Sequence, residues 1–137
     1  MSNPNKAKGD RWELAAVTYL REWLGRNVIR PRQEGYEDIG DIHISPFAIQ
    51  AKDEARHNFS GYVRDAEKQA DAAGEDYGVA LVKRRTVGPR LAYAVMTLET
   101  FRRVVTRLRR AEEQLLRASP ALFDKHMAQT KKENDNP

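Results

Sequence analysis

Residues 40–52 read G-D-I-H-I-S-P-F-A-I-Q-A-K, and the alternation within them decides the fold. Asp41 to Ile44 alternates polar and apolar as a half-buried strand does. Ser45-Pro46 makes a tight turn, and Phe47 to Lys52 alternates again, so the stretch predicts a β-hairpin. Successive side chains of a strand point to opposite faces. Phe47, Ile49 and Ala51 therefore share one face, and Ala48, Gln50 and Lys52 the other. On the preceding strand Ile42 and Ile44 point one way, Asp41 and His43 the other. Antiparallel pairing is expected to bring Asp41, Gln50 and Lys52 together, opposite the aliphatic residues. A carboxylate, an amide and an ammonium at a sheet centre are costly unless pairing or metal coordination offsets their desolvation.

Upstream, Asp10 and Glu13 form a D-x-x-E start signal for a helix over Arg11 to Leu24, after a loose polar lead of about six residues. Trp12, Ala16, Tyr19 and Trp23, with Val17, Leu20 and Leu24, repeat at the helical period. Glu13 lies on the stripe of Val17, Leu20 and Leu24, a face that should pack inward; completing the capping box with Asp10 is its plainer role. Gly25 stops the helix. Asn27 to Arg30 predicts a short strand ended by Pro31, and Arg32 to Gly40 a polar loop.

Downstream, Ser60 is expected to cap a helix over Gly61 to Ala73, ended by Gly74. Tyr77 to Lys83 is nearly continuously apolar, as in a strand covered on both faces. Thr86 to Arg90 turns the chain into a strand over Leu91 to Thr97. A long helix opens at Thr97 or Glu99 and runs to about Ala118, with Phe101, Val104, Val105, Leu108, Ala111 and Leu115 as its expected buried stripe. Ser119-Pro120 breaks it, before a short helix over Ala121 to Gln129 and a disordered tail, Lys131 to Pro137. The expectation is an α/β domain of order αβββαββα, with a central mixed sheet flanked by helices.

Composition narrows the chemistry. The chain has 137 residues, 40% hydrophobic and 32% charged, enough apolar material for one modest core. No apolar run approaches a bilayer span and no basic-then-apolar leader opens the sequence. With no cysteine, disulfides, thiolate zinc sites and cysteine nucleophiles are excluded, which suits a cytoplasmic setting. His43, His57 and His126 make no paired-ligand pattern. The net charge of +4 hides an asymmetry: Glu34 to Asp76 holds eleven acids against four Lys/Arg, and Leu81 to Ala118 ten Lys/Arg against three acids. An acidic middle could hold cations and a basic distal third a polyanion, although solvated helix faces are the simpler account of such charge from composition alone.

The segment 40–52 resembles the active-site hairpin of the PD-(D/E)xK nuclease superfamily, in which an acid opens the second strand and an acid-x-Lys follows on the third. The preceding helix commonly supplies one more Glu. The resemblance covers about residues 9–97 and implies a restriction-endonuclease-like core, with 1–8 flexible, 9–118 a nuclease-like domain and 119–137 a short helix and polar tail. Size and layout look most like archaeal-type Holliday junction resolvases, while I-Q-A-K looks like the Q-x-K form of Mrr-like endonucleases. It implies metal-dependent phosphodiester hydrolysis by Glu13, Asp41, Gln50 and Lys52. Asp41, Gln50 and Glu13 would hold Mg²⁺ or Mn²⁺, and Lys52 would position the attacking water and stabilise the phosphorane.

Gly40 stands in place of Pro before the acid, at a position that varies. Gln50 replaces the usual acid, leaving a carbonyl ligand without charge. Asp38 is a substitute ligand, His43 a neighbour on the Asp41 face, and Arg64, Lys68 and Gln69, with Ser60 and Tyr62, would flank the site.

Phosphate neutralisation is expected from Lys8, Arg11, Arg30, Arg32, Lys83, Arg84, Arg85 and Arg90, with the 83–90 turn as a backbone clamp. The chain carries no separate sequence-reading module. That fits a structure-selective nuclease acting on four-way junctions or branched DNA, which needs a homodimer to cut two strands. An Mrr-like restriction or repair nuclease and a catalytically inactive nuclease-fold module that binds DNA or protein stay open as alternatives.

Overall fold

The computed structural model describes residues 3–33, 35 and 37–135. The expectations for Met1, Ser2, Asn136 and Pro137, and those for Glu34 and Tyr36 within the predicted loop, lie outside the described residues. The chain divides into two compact units, Met1–Thr97 and Leu98–Pro137.

The first unit is α/β. Its helix α1 (Pro4–Leu24) starts earlier than predicted: the N-cap is Asn3, whose side chain accepts from the Asn5 N–H, and Pro4 occupies the first turn. Proline there forfeits only a donor the helix cannot use, so the helix runs straight through Asp10 and Glu13, which form no capping box. The predicted strand Asn27–Arg30 is reduced to a single bridge between Ile29 and His43, because a 3₁₀ turn at Gly25–Asn27 and then Pro31 leave no room to extend it.

Strands β1 (Ile42–Ile44) and β2 (Phe47–Lys52) form the hairpin, pairing Ile42 with Ile49 and Ile44 with Phe47. Helix α2 (Phe59–Ala73) crosses to β3 (Tyr77–Val82), which pairs parallel to β2 with Lys52 opposite Val82. A 3₁₀ turn at Pro89–Leu91 precedes β4 (Tyr93–Val95), antiparallel to β3 and shorter than the predicted Leu91–Thr97. The sheet is mixed, in the order β1-β2-β3-β4. The cap of α2 is Asn58, which accepts from the Gly61 N–H, rather than Ser60; Gly74 ends it in the left-handed conformation.

The alternation of β2 holds. Phe47, Ile49 and Ala51 pack with Ile42, Val79 and Leu81 against Trp12, Ala16 and Val17 of α1. On the other face Tyr62 of α2 packs with Ala80 and Val82. Gly78 lies under α2 so closely that a Cβ there would meet the Ala66 carbonyl. The parallel β2–β3 pair is thus covered on both faces, which is why Tyr77–Val82 lacks a polar side.

The second unit is a pair of helices, α3 (Leu98–Ala118) and α4 (Pro120–Asp135). Helix α4 continues past the expected end at Gln129 as far as Asp135, into the segment expected to be a disordered tail. The stripe predicted for α3 is not buried: Phe101 and Leu108 are 53% and 55% exposed, and Ala111 is exposed while Val104, Val105 and Leu115 are half-buried. The 3.6-residue period marks an apolar face without saying what covers it. Among the described residues no helix is long and apolar enough to cross a membrane.

Candidate functional site

Asp41 sits one residue ahead of β1. Its N–H donates to the Ile49 carbonyl at 2.9 Å, and its carboxylate accepts from the Ala51 N–H at 2.9 Å. Two backbone bonds to β2 thus fix the acid against the strand that carries Gln50 and Lys52. Gly40 makes this approach possible. It has φ +94°, its added Cβ would press on the Ile49 carbonyl at 3.3 Å, and its N–H donates to Asp38 Oδ1 at 2.9 Å. Proline can adopt neither that φ nor that hydrogen bond, so glycine here is a requirement of this loop.

Burial pushes the Asp41 carboxyl above the usual carboxylate range. The Ala51 N–H opposes the rise, the negative charges of Glu13 and Asp38 add to it, and the Lys52 ammonium opposes it. The charges of Glu13, Asp38 and Lys52 therefore each reach Asp41. Lys52, the last residue of β2, holds its ammonium 5.6 Å from the centroid of the Tyr62 ring and, among the described residues, makes no ion pair. Tyr62 is buried and donates its hydroxyl to the Glu54 carboxylate. Burial and that bond keep its phenol protonated beyond the ordinary range.

Gln50 is 7% exposed, and its carbonyl oxygen is buried with no hydrogen-bond partner; the same is true of Gln69 Oε1. Both residues line a cleft of about 900 Å³ with Glu37, Asp38, Asp65, Lys68 and Asp71. Gln69 donates its amide to Asp38 Oδ2 at 2.7 Å. Orphaned buried oxygens are rare in folded proteins, because each keeps its full desolvation cost. Among the described residues no three of His, Asp and Glu converge closely enough to cage an ion.

Glu13 faces inward only in part. Its carboxylate receives Nε and Nη2 of Arg30 at 2.9 and 2.8 Å, so it is already engaged by a cation of its own chain. The same contact pairs Arg30, an expected phosphate ligand, with an acid of its own chain. Arg84 is likewise engaged, donating to the Leu91 carbonyl at 3.3 Å and lying 4.9 Å over the Tyr93 ring. Lys8, Lys83 and Arg85 gather around Asp53 instead of spreading along a turn. Arg11 lines the pocket beside them, while Arg32 and Arg90 are exposed. His43 bonds the Ile39 carbonyl through Nε2, which ties its ring to the loop rather than to the acid. Arg64 and Lys68 are exposed on α2, with only Lys68 lining the cleft.

Asp53 was not singled out by sequence, since an acid after a strand end is ordinary; no local signal marks it. No protein-family model, curated protein or solved structure matches the chain.

Proposed function

We propose that this protein is a divalent-metal-dependent DNA endonuclease of the PD-(D/E)xK type, most closely a homodimeric resolvase of Holliday junctions or other branched DNA. One observation carries the reading: the half-buried Asp41 carboxylate lies within reach of the Lys52 charge, and among the described residues no ion pair claims that ammonium, at the end of one hairpin. The order helix, bridge, two strands, helix, two strands, helix supports a restriction-endonuclease-like core.

The donor set fits a hard cation. Asp41 supplies a carboxylate crowded by Asp38 and Glu13, and Gln50 a buried carbonyl oxygen without a partner. Mg²⁺ keeps several waters and is commonly held by only one or two carboxylates together with substrate phosphate, so a cage of three acids is not required. A bound ion would supply an activated water and neutralise charge on the reacting phosphate. Lys52 directs its ammonium donors to the attacking water and to the phosphate oxygens as their charge grows. The Ala51 N–H and the Ile49 carbonyl hold Asp41 in place while this happens.

A second reading, a nuclease fold that binds DNA without cutting it, draws on Gln50 in place of an acid and on the pairing of Glu13 with Arg30. Incubation with a four-way junction and a linear duplex, in Mg²⁺, Mn²⁺ or EDTA, separates the readings. Symmetric nicks on the junction alone support the resolvase. Cutting of linear duplex supports an Mrr-like nuclease, and binding without cutting in every metal supports the inactive fold. Lys52→Ala and Asp41→Asn should lower cleavage at least about a hundredfold with binding nearly unchanged. An unaltered rate removes the site assignment. Sedimentation of wild type and Leu108→Glu tests the homodimer, for which the exposed apolar face of α3 is available.

A further inference from the structure

Beyond Lys52 the end of β2 carries a second concentration of charge. Asp53 follows directly, and its side chain is only 3% exposed. Three cations surround it: Lys8 of α1 at 3.9 Å, Lys83 after β3 at 3.7 Å and Arg85 at 4.0 Å. Those separations exceed hydrogen-bonding length, so the carboxylate draws the cations together without using up their donors. Lys8, Lys83 and Asp53 line a pocket of about 340 Å³ with Arg11, Trp12 and Val87. Three cations thus share one buried carboxylate, with Arg11 lining the same pocket, and one carboxylate cannot balance all of that positive charge.

We propose that this pocket is a phosphate-binding site that takes a phosphate group of a nucleic-acid strand; the nucleic-acid part rests on the reading above. Ammonium and guanidinium groups at one point match a phosphate's several oxygens through charge-assisted hydrogen bonds. Asp53 acts as a positioning residue: it holds Lys8, from the start of the chain, beside Lys83 and Arg85. The Lys83 N–H donates to the Lys52 carbonyl at 2.9 Å, so the pocket and the catalytic lysine share one stretch of backbone. Lys52 lies over Tyr62 of α2, while its neighbour Asp53 reaches Lys8 of α1. A strand with one phosphate in the pocket therefore has its register set at the end of β2, around which both sites lie.

Trp12 reports on the pocket, because its indole N–H donates to the Leu81 carbonyl at 3.2 Å and its ring lines the wall. Trp23→Phe leaves Trp12 as the sole indole, since the chain has two tryptophans. In EDTA, at constant ionic strength, inorganic phosphate titrated into this variant should change the fluorescence saturably, and chloride should not. Adding Lys8→Ala or Lys83→Ala should weaken the phosphate response about tenfold, and Lys83→Arg should keep most of it, with thermal melts confirming that each variant folds. No saturable response, or one unchanged in both alanine variants, overturns the proposal. Short 5′-phosphorylated and 5′-hydroxyl strands are then used to displace phosphate. Preference for the phosphorylated strand assigns a terminal phosphomonoester and equal displacement an internal phosphodiester, whereas failure of both overturns the nucleic-acid assignment. No cleavage enters these measurements, so a failure of the hydrolytic reading at Asp41 or Lys52 is seen separately.

Discussion

The Ala51 amide donates to the Asp41 carboxylate at 2.9 Å, yet burial and the neighbouring charges of Glu13 and Asp38 still hold that carboxyl above its ordinary range. The acid is therefore placed with precision and left short of compensation. Between its unfolded and its raised folded pKa, the native state binds more protons than the unfolded chain, so Asp41's contribution to stability falls as pH rises through that window. Asp41→Asn keeps an acceptor for Ala51 and removes the charge. It should raise the melting temperature at neutral pH, with the gain shrinking as the pH falls through the raised folded pKa and gone below the ordinary carboxylate value of about 3.9. Melts across roughly pH 3 to 8 check this, and a difference independent of pH contradicts it.

A cation binding only the folded state stabilises it by mass action, about 2.7 kcal/mol at a hundred times Kd. Mg²⁺ should therefore raise the melting temperature of the wild type at neutral pH and leave Asp41→Asn nearly unmoved. Equal shifts in both proteins would place the ion elsewhere.

Gln50 offers a test of opposite signs. Its carbonyl oxygen is buried and unpaired, so Gln50→Met, of similar volume, should stabilise the protein by about 1 kcal/mol while abolishing the Mg²⁺ shift. Gln50→Glu should lower stability without metal, through added repulsion on Asp41, and strengthen the response to Mg²⁺. Denaturant melts with and without the ion measure both.

Arg30 and Lys83 look alike in sequence and should behave differently on DNA. Arg30 is bound to Glu13 at 2.8 Å and is 43% exposed, so Arg30→Ala should cost at most about 1 kcal/mol of stability and barely alter the salt dependence of binding. Lys83→Ala should reduce that salt slope by about 1. Binding titrations at several salt concentrations decide it, and identical slopes for the two variants would contradict the distinction.

Gly78 has no room for a side chain, because a Cβ would fall on the Ala66 carbonyl of α2. Gly78→Ala should force α2 away from β3 at a cost of about 1–3 kcal/mol and disturb the cleft that Gln69 lines. A melt as stable as wild type would mean that the helix yields freely.

Much of this was legible from local pattern. The hairpin, the inward set Phe47, Ile49 and Ala51, the covered strand at Tyr77–Val82 and the stop at Gly74 all follow from periodicity and backbone preference, which act within a few residues. The start of α1 is hidden from local pattern because Asp10 and Glu13 imitate a cap, while Asn3 and Pro4 supply one earlier. The exposure of the α3 stripe is hidden because amphipathicity marks a face, not its covering.

By itself the sequence determined which side chains leave the backbone in the same direction, and so that Asp41, Gln50 and Lys52 belong to one hairpin. Only the tertiary structure decided the charge partners: Arg30 for Glu13, and Lys8, Lys83 and Arg85 for Asp53. The physical reason is range. Direction from the backbone is fixed by local dihedral angles, whereas a Coulomb partner is whichever opposite charge packing brings within a few ångströms, from anywhere along the chain.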